Sequence, residues 1–282
     1  MRILALETSE ISGSLAIGEC SDGTNGEPVN LRTVATVSLP AQERSARSLA
    51  PAIDTTLRQA GWTAGELDVI GISIGPGSFT GLRVGLATAK MIAWAVNARI
   101  VAIDTRDAIA QRFFRIARPE QRSPGSTLAV WIDAQRGQTV TAVFQNTESS
   151  VTSREQNPVM APATTHKRNS RWSPSRSVPW KRLTSTDRPI CVDEALATIP
   201  EPGRTWLAGS FLSRPSVLAK LPEPVRSQVV ENALSVPDAS GVLELTAVRA
   251  NQGRFDDLHT LIPLYSRPSA ATERIAGRDH VI

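Results

Sequence analysis

Four glycines fall at Gly75, Gly77, Gly81 and Gly85 within the stretch GISIGPGSFTGLRVGLATAK, residues 71–90. The run follows a strand-like segment and precedes a helix-like one. A glycine turn at a helix N-terminus presents free N–H groups and the positive end of the helix dipole, which together suit an anion. Thr8, Ser9, Gly75, Gly77 and Ser78 are the candidate anion-site residues, and Arg83 could add charge. The pattern is not a P-loop. It lacks the Gly-Lys-Ser/Thr ending, and Lys90 lies too far into the helix. Pro76 interrupts any dinucleotide fingerprint. The same glycines would equally serve a tight turn and close packing of helix on strand. Residue types alone leave both readings open.

Other chemistries have less to work with. The three histidines, His166, His259 and His280, are far apart and none stands near a cysteine. Zinc-ligand spacings are missing, so no metal site and no cofactor is expected. Ser9, Ser78 and Thr80 sit in turns with no histidine placed by sequence to activate them, and such residues usually cap helices. No catalytic residue is assigned. Two acids, Glu7 and Asp133, end apolar runs and could position a Mg²⁺-nucleotide in a cleft.

Two hairpin patterns hold these acids. RILALETSEISGSLAIGE is apolar to Leu6, carries Glu7, turns near Gly13 and resumes alternation. TLAVWIDAQRGQTVTAVFQ is apolar to Ile132, carries Asp133, turns at Arg136-Gly137 and resumes at Thr139. The two align without gaps, a weak repeat of one supersecondary unit. Between and after them lies α/β alternation. Helices are predicted over 45–60, 82–96 and 239–251, with Pro51 tolerated near the start of the first. Strands are predicted over 67–74, 99–103 and 205–208. Leu261 onward reads as extended and irregular. This order suggests two related α/β lobes facing each other.

Bulk properties narrow the class. The chain has 282 residues, 41% apolar and 21% charged, as ordinary globular proteins have. No apolar run approaches the roughly 20 residues of a membrane span. Glu7 interrupts any secretory apolar core. The two cysteines, Cys20 and Cys191, make no disulfide framework, and a reduced, cytoplasmic chain is expected. The net charge of +4 tolerates a polyanion without demanding one. Much of it sits in residues 165–188, a Ser/Pro-rich basic stretch with Asp187 as its one acid. It reads as a loosely held insertion, or as a nucleic-acid-contacting arm with Trp172 and Trp180 available to stack.

The stretches ILALETSEISGSLAI, GISIGPGSFTGLRVGLATAK, WIDAQRGQTVTAVF and PLYSRPSAA, in this order, resemble the TsaB family, also called YeaZ. The resemblance spans nearly the whole chain apart from the basic middle. It implies an α/β actin/Hsp70/sugar-kinase-like (ASKHA) fold of two ribonuclease-H-like lobes. Their expected bounds are 1–106 plus about 236–265 for the first and 107–235 for the second. A basic insertion at about 147–188 and a tail at 266–282 complete the division. It also implies a role as non-catalytic partner of TsaD. That enzyme transfers a threonylcarbamoyl group to N6 of adenosine 37 in tRNAs reading ANN codons. The TsaE ATPase would join the assembly, tRNA would be met through the complex, and a homodimer would form when the partner is missing. The helices flanking the glycine loop would make the partner interface, through Leu49, Ile53, Leu57, Phe79, Leu82, Leu86, Ala89 and Ile92. The alternative to an interface is that the chain's own sheet covers them all.

Departures from the family pattern matter too. The segment before the first helix, AQERSARSLAP, has Ser45 or a neighbour where many relatives carry a histidine. The Asp133–Gly137 turn is a poor phosphate loop, and WLAGSFLSRP holds only Gly209 where an adenosine site wants a glycine cluster. A small-molecule kinase or ATPase of the same fold is the runner-up, and a peptidase, lacking nucleophile, base and metal, a distant third.

Overall fold

The computed structural model describes residues 1–21, 30–40, 45–147, 170–172 and 178–267. Its strands are β1 (Arg2–Glu7), β2 (Ser14–Ser21), β3 (Asn30–Ser38), β4 (Val69–Gly75), β5 (Arg99–Asp104), β6 (Thr127–Asp133), β7 (Thr139–Asn146), β8 (Ser170–Trp172), β9 (Trp180–Ser185) and β10 (Thr205–Ala208). Its helices are α1 (Ser45–Ala60), α2 (Phe79–Val96), α3 (Thr105–Ile116), α4 (Val192–Ala197), α5 (Pro215–Leu218), α6 (Glu223–Arg226), α7 (Asn232–Ser235) and α8 (Ala239–Asn251).

The strands form two sheets of one plan. The first has the order β5-β4-β1-β2-β3-β8 and the second β10-β6-β7-β9. In each, a hairpin (β1–β2, β6–β7) carries a third antiparallel strand on one side (β3, β9) and a parallel strand on the other (β4, β10). The repeat suspected from Glu7 and Asp133 is a repeat of topology.

Each first strand is buried on both faces, which is why it reads as an unbroken apolar run. Side chains alternate across a strand. Ile3 and Ala5 of β1 enter one core, and Leu4 and Leu6 the other. Leu128, Val130 and Ile132 of β6 join Ile3 and Ala5, while Ala129 and Trp131 face a third core with the short helices of the second sheet. The shared core is filled by α3 and α8, which lie between the sheets, with Phe113, Ile109, Val242 and Leu243. The result is five layers, α/β/α/β/α.

A buried polar chain ties the middle together. Trp180 Nε1 donates to Gln111 Oε1 at 2.9 Å, and Gln111 Nε2 donates to Glu244 Oε2 at 2.9 Å. Glu244 also pairs with Arg115. Next to it, Arg106, 1% exposed, donates to Asp104, Asp187 and the Thr186 carbonyl, and Arg182 pairs with Asp104 and Asp107.

Several expectations need correction. Trp180 is not available to stack on a base: it is 8% exposed and packs edge-on against Phe144. The basic stretch becomes ordered strand from Trp180, and Ser170–Trp172 adds a short edge strand to the first sheet. Residues 165–169 and 173–177, His166 and the tail from 268 lie outside the described residues. Six of the eight interface candidates are core. Leu49, Ile53, Leu57, Leu82, Leu86 and Ala89 are at most 5% exposed, because this stripe of α1 and α2 faces the first sheet. Burial of each large apolar side chain contributes about 1.5–3 kcal/mol. Phe79 is partly open at 36% and Ile92 half-buried. The helix after the glycine loop also starts three residues earlier than expected, at Phe79. The expected lobe division after residue 106 falls inside α3.

Candidate functional site

The glycine loop is a socket for the chain's own backbone. Gly77 presses on the β1–β2 turn: a Cβ there would lie 2.4 Å from the Ser9 carbonyl oxygen. Gly81 and Gly85 press on the same turn, 2.0 Å from Thr8 O and Thr8 Oγ1 by the same measure. Ser78 N donates to Ser9 O at 2.6 Å, and Ser78 Oγ caps α2 by accepting from Gly81 N at 3.3 Å. At Gly75, φ +114°, a Cβ would lie 2.5 Å from Leu264 O of the segment after α8. The five anion-site candidates are thus brought together. Thr8, Ser9 and Leu264 fill the space beside these glycines that side chains would otherwise take.

The repeated acids lie beside this socket. Glu7 is fully buried and its Oε1 accepts from Ser9 N and Ser9 Oγ, both at 2.5 Å. Glu7 Oε2 and Ser73 Oγ are buried without a hydrogen bond among the described residues. Burial raises the Glu7 pKa, and the nearby Ser73 and Ser9 groups oppose the rise. Asp133 accepts from Gln135 N at 2.8 Å and pairs with Arg214 at 2.5 Å. Glu10, which no sequence pattern marks, feels the charges of both acids. Burial pushes it up to about 7, the Ser210 hydroxyl opposes, and the charges of Glu7 and Asp133 add to the rise. Among the described residues no three His, Cys, Asp or Glu side chains gather as metal ligands.

The outer face of α2 is the other feature. Arg83, Ala87, Met91 and Trp94 follow each other at helical spacing and are exposed, Met91 to 70% and Trp94 to 74%. Neighbours three or four apart share one face. The phase was legible: it is the stripe opposite Leu82, Leu86, Ala89 and Ala93. At its start Phe79 stacks on Tyr265 with ring centroids 4.8 Å apart, Arg83 lies 3.9 Å over the Phe79 ring, and Arg83 Nε donates to Tyr265 OH at 2.8 Å.

Two sheets of one strand plan around a shared helical layer define the actin/Hsp70/sugar-kinase-like fold. YeaZ from Pseudomonas aeruginosa superimposes with a TM-score of 0.60 at 18% identity, over 93% of this chain and 98% of that one. The family described as "TsaD: tRNA N6-adenosine threonylcarbamoyltransferase" matches residues 39–274. The tRNA threonylcarbamoyladenosine biosynthesis protein TsaB of Escherichia coli (strain K12) is 28% identical over 169 residues, 60% of this chain and 66% of that protein. The protein of the same name from Haemophilus influenzae is 29% identical over 120 residues, 43% of this chain and 46% of that one. The chain thus belongs to this family, on its TsaB (YeaZ) side. It spans 66% and 46% of the lengths of these two curated relatives.

Proposed function

We propose that this chain is a non-catalytic partner of a TsaD-type transferase, activating formation of N6-threonylcarbamoyladenosine at position 37 of tRNAs reading ANN codons. The observation that carries the reading is the outer stripe of α2. Met91 and Trp94 stand exposed on a helix whose opposite stripe is already spent on its own sheet. Adjacent large apolar side chains left in water mark an interaction surface. The names of the relatives supply the pathway.

The interface of this proposal therefore keeps Phe79 and Ile92 and replaces the core residues with Arg83, Ala87, Met91 and Trp94. A TsaE-type ATPase joins through the complex, tRNA is met there, and a second copy uses the same face when the transferase is missing. The setting is the cytoplasm. The kinase or ATPase reading is opposed by the glycine loop, whose glycines pack closely on Thr8, Ser9 and Leu264 of the same chain.

Light scattering on a size-exclusion column tests this with the wild-type chain and Trp94→Glu, each mixed with the TsaD-type protein of the same genome. A one-to-one complex for wild type and free subunits for the variant is the expected result. An equally tight complex with Trp94→Glu removes the α2 face. No complex with either, joined to ATP turnover by the isolated chain, hands the case to the kinase reading.

A further inference from the structure

The segment after α8 is irregular but makes specific contacts with both sheets. It starts on the first sheet, where Asp256 N donates to Ile100 O at 3.0 Å and Asp256 Oδ2 accepts from Ala102 N at 2.7 Å. It then runs antiparallel along α2. Lys90 Nζ donates to Leu261 O at 3.1 Å, and Tyr265 reaches the Phe79–Arg83 pair one helix end away. Between these points Leu264 N donates to Ile74 O at 2.7 Å, capping the end of β4. Finally Arg267 donates to Gln138 Oε1 in the β6–β7 turn, on the other sheet.

Each contact is made by an otherwise irregular segment, and each uses a specific feature of its seat. Ile74 O lies where the β4–β5 register shifts, between Ser73 and Gly75, and Leu264 supplies its donor. Gly75 has no Cβ to keep Leu264 O away. The receiving turn holds Gln135 and Arg136 at φ +62° and +51°, a left-handed conformation that costs energy in non-glycine residues. Pro76, Arg106, Val140, Asp187, Leu264 and Ser266 line one small crevice beside these contacts, too narrow to admit a water molecule.

We propose that residues 261–267 form a latch that pins the glycine loop of the first sheet to the β6–β7 turn of the second and holds the space between them shut. The latch acts through backbone at Leu264 and through side chains at Tyr265 and Arg267. A chain tied this way does not open and close its sheets about a ligand. It presents the α2 face on a fixed frame.

Hydrogen exchange of the full chain tests it, comparing wild type with Tyr265→Ala and, separately, Arg267→Ala. Local opening is read from amide protection. In both variants the amides of 75–81 and of 134–139 should exchange roughly tenfold faster or more, while those of β1 and β6 keep their wild-type rates. The second region is far from Tyr265 in sequence and on the other sheet, so its loosening by Tyr265→Ala reads the tie itself. Acceleration confined to 261–267, confined to the loop nearest each substitution, or spread evenly over the whole chain overturns the proposal.

Discussion

Thr8 O lies 2.0 Å from the point where Gly81 would carry a Cβ, and Thr8 Oγ1 lies equally close to that of Gly85. Both glycines are inside α2, where alanine is ordinarily better by about 1 kcal/mol. Here the sign reverses. Gly81→Ala would drive a methyl group into backbone, and a destabilisation of about 3 kcal/mol or more is expected from thermal or urea unfolding. Gly85→Ala meets a side chain instead, so Thr8→Ala should recover part of its cost in a double-mutant cycle. Additive effects would mean that α2 and the β1–β2 turn do not touch as described.

Ala89 and Trp94 lie on opposite stripes of the same helix, at 0% and 74% exposure. Ala89→Glu places an unpaired carboxylate against the first sheet and should unfold the chain or cost several kcal/mol. Trp94→Glu should change stability by no more than about 0.5 kcal/mol. A circular-dichroism melt of each variant decides between them. A soluble, native-like Ala89→Glu chain would show that the burial of this stripe is wrong.

The contrast explains what the sequence could show. Both hairpins were legible because buried strands, acid and turn recur in order, and α1, β10 and α8 fall within the segments predicted for them. The helix α3 was not marked. It is buried on almost every side, with Arg106, Asp107 and Gln111 among its buried residues, so no one-sided apolar stripe stands out. The glycines after Pro76 left an anion site and close packing both open, and only the fold shows Gly81 and Gly85 admitting Thr8. Arg182 read as part of a solvated basic run, because its partners Asp104 and Asp107 come from a distant part of the chain. Glu10 carried no signal at all: only the folded chain buries it and brings the charge of Asp133 to bear on it.

The Arg106 guanidinium is 1% exposed and joins α3 to the strands and turn of the second sheet. Burial alone would raise Asp104, but Arg106 and Arg182 outweigh it and hold the carboxyl below its ordinary value. Replacing Arg106 by methionine keeps much of the volume and leaves Asp104 buried with one cation fewer. A loss of about 3–5 kcal/mol is expected at pH 7. With its folded pKa depressed, Asp104 contributes stability above its unfolded pKa and loses it as pH falls through the folded one. The gap between wild type and Arg106→Met should therefore narrow in melts taken on the acid side of pH 4. A gap constant from pH 7 to pH 3 would show that the charge pairing is not what the arginine supplies.

Glu10 predicts the opposite pH dependence. Its folded pKa is about 7 against an ordinary value of 4.5, so the folded chain holds its proton more tightly than the unfolded chain does. Stability from this group is fully present below about pH 4.5 and falls as pH rises through 7. Above that, the ionised carboxylate is opposed first by its burial and then by the charges of Glu7 and Asp133. Glu10→Gln keeps the shape and removes the charge. It should raise stability by on the order of 1–2 kcal/mol at pH 8 and leave it nearly unchanged at pH 4. Urea melts at the two pH values read the difference directly. A gain of the same size at both would mean that the glutamine acts through packing, and a loss at pH 8 would mean that the carboxylate is paired with a cation in solution.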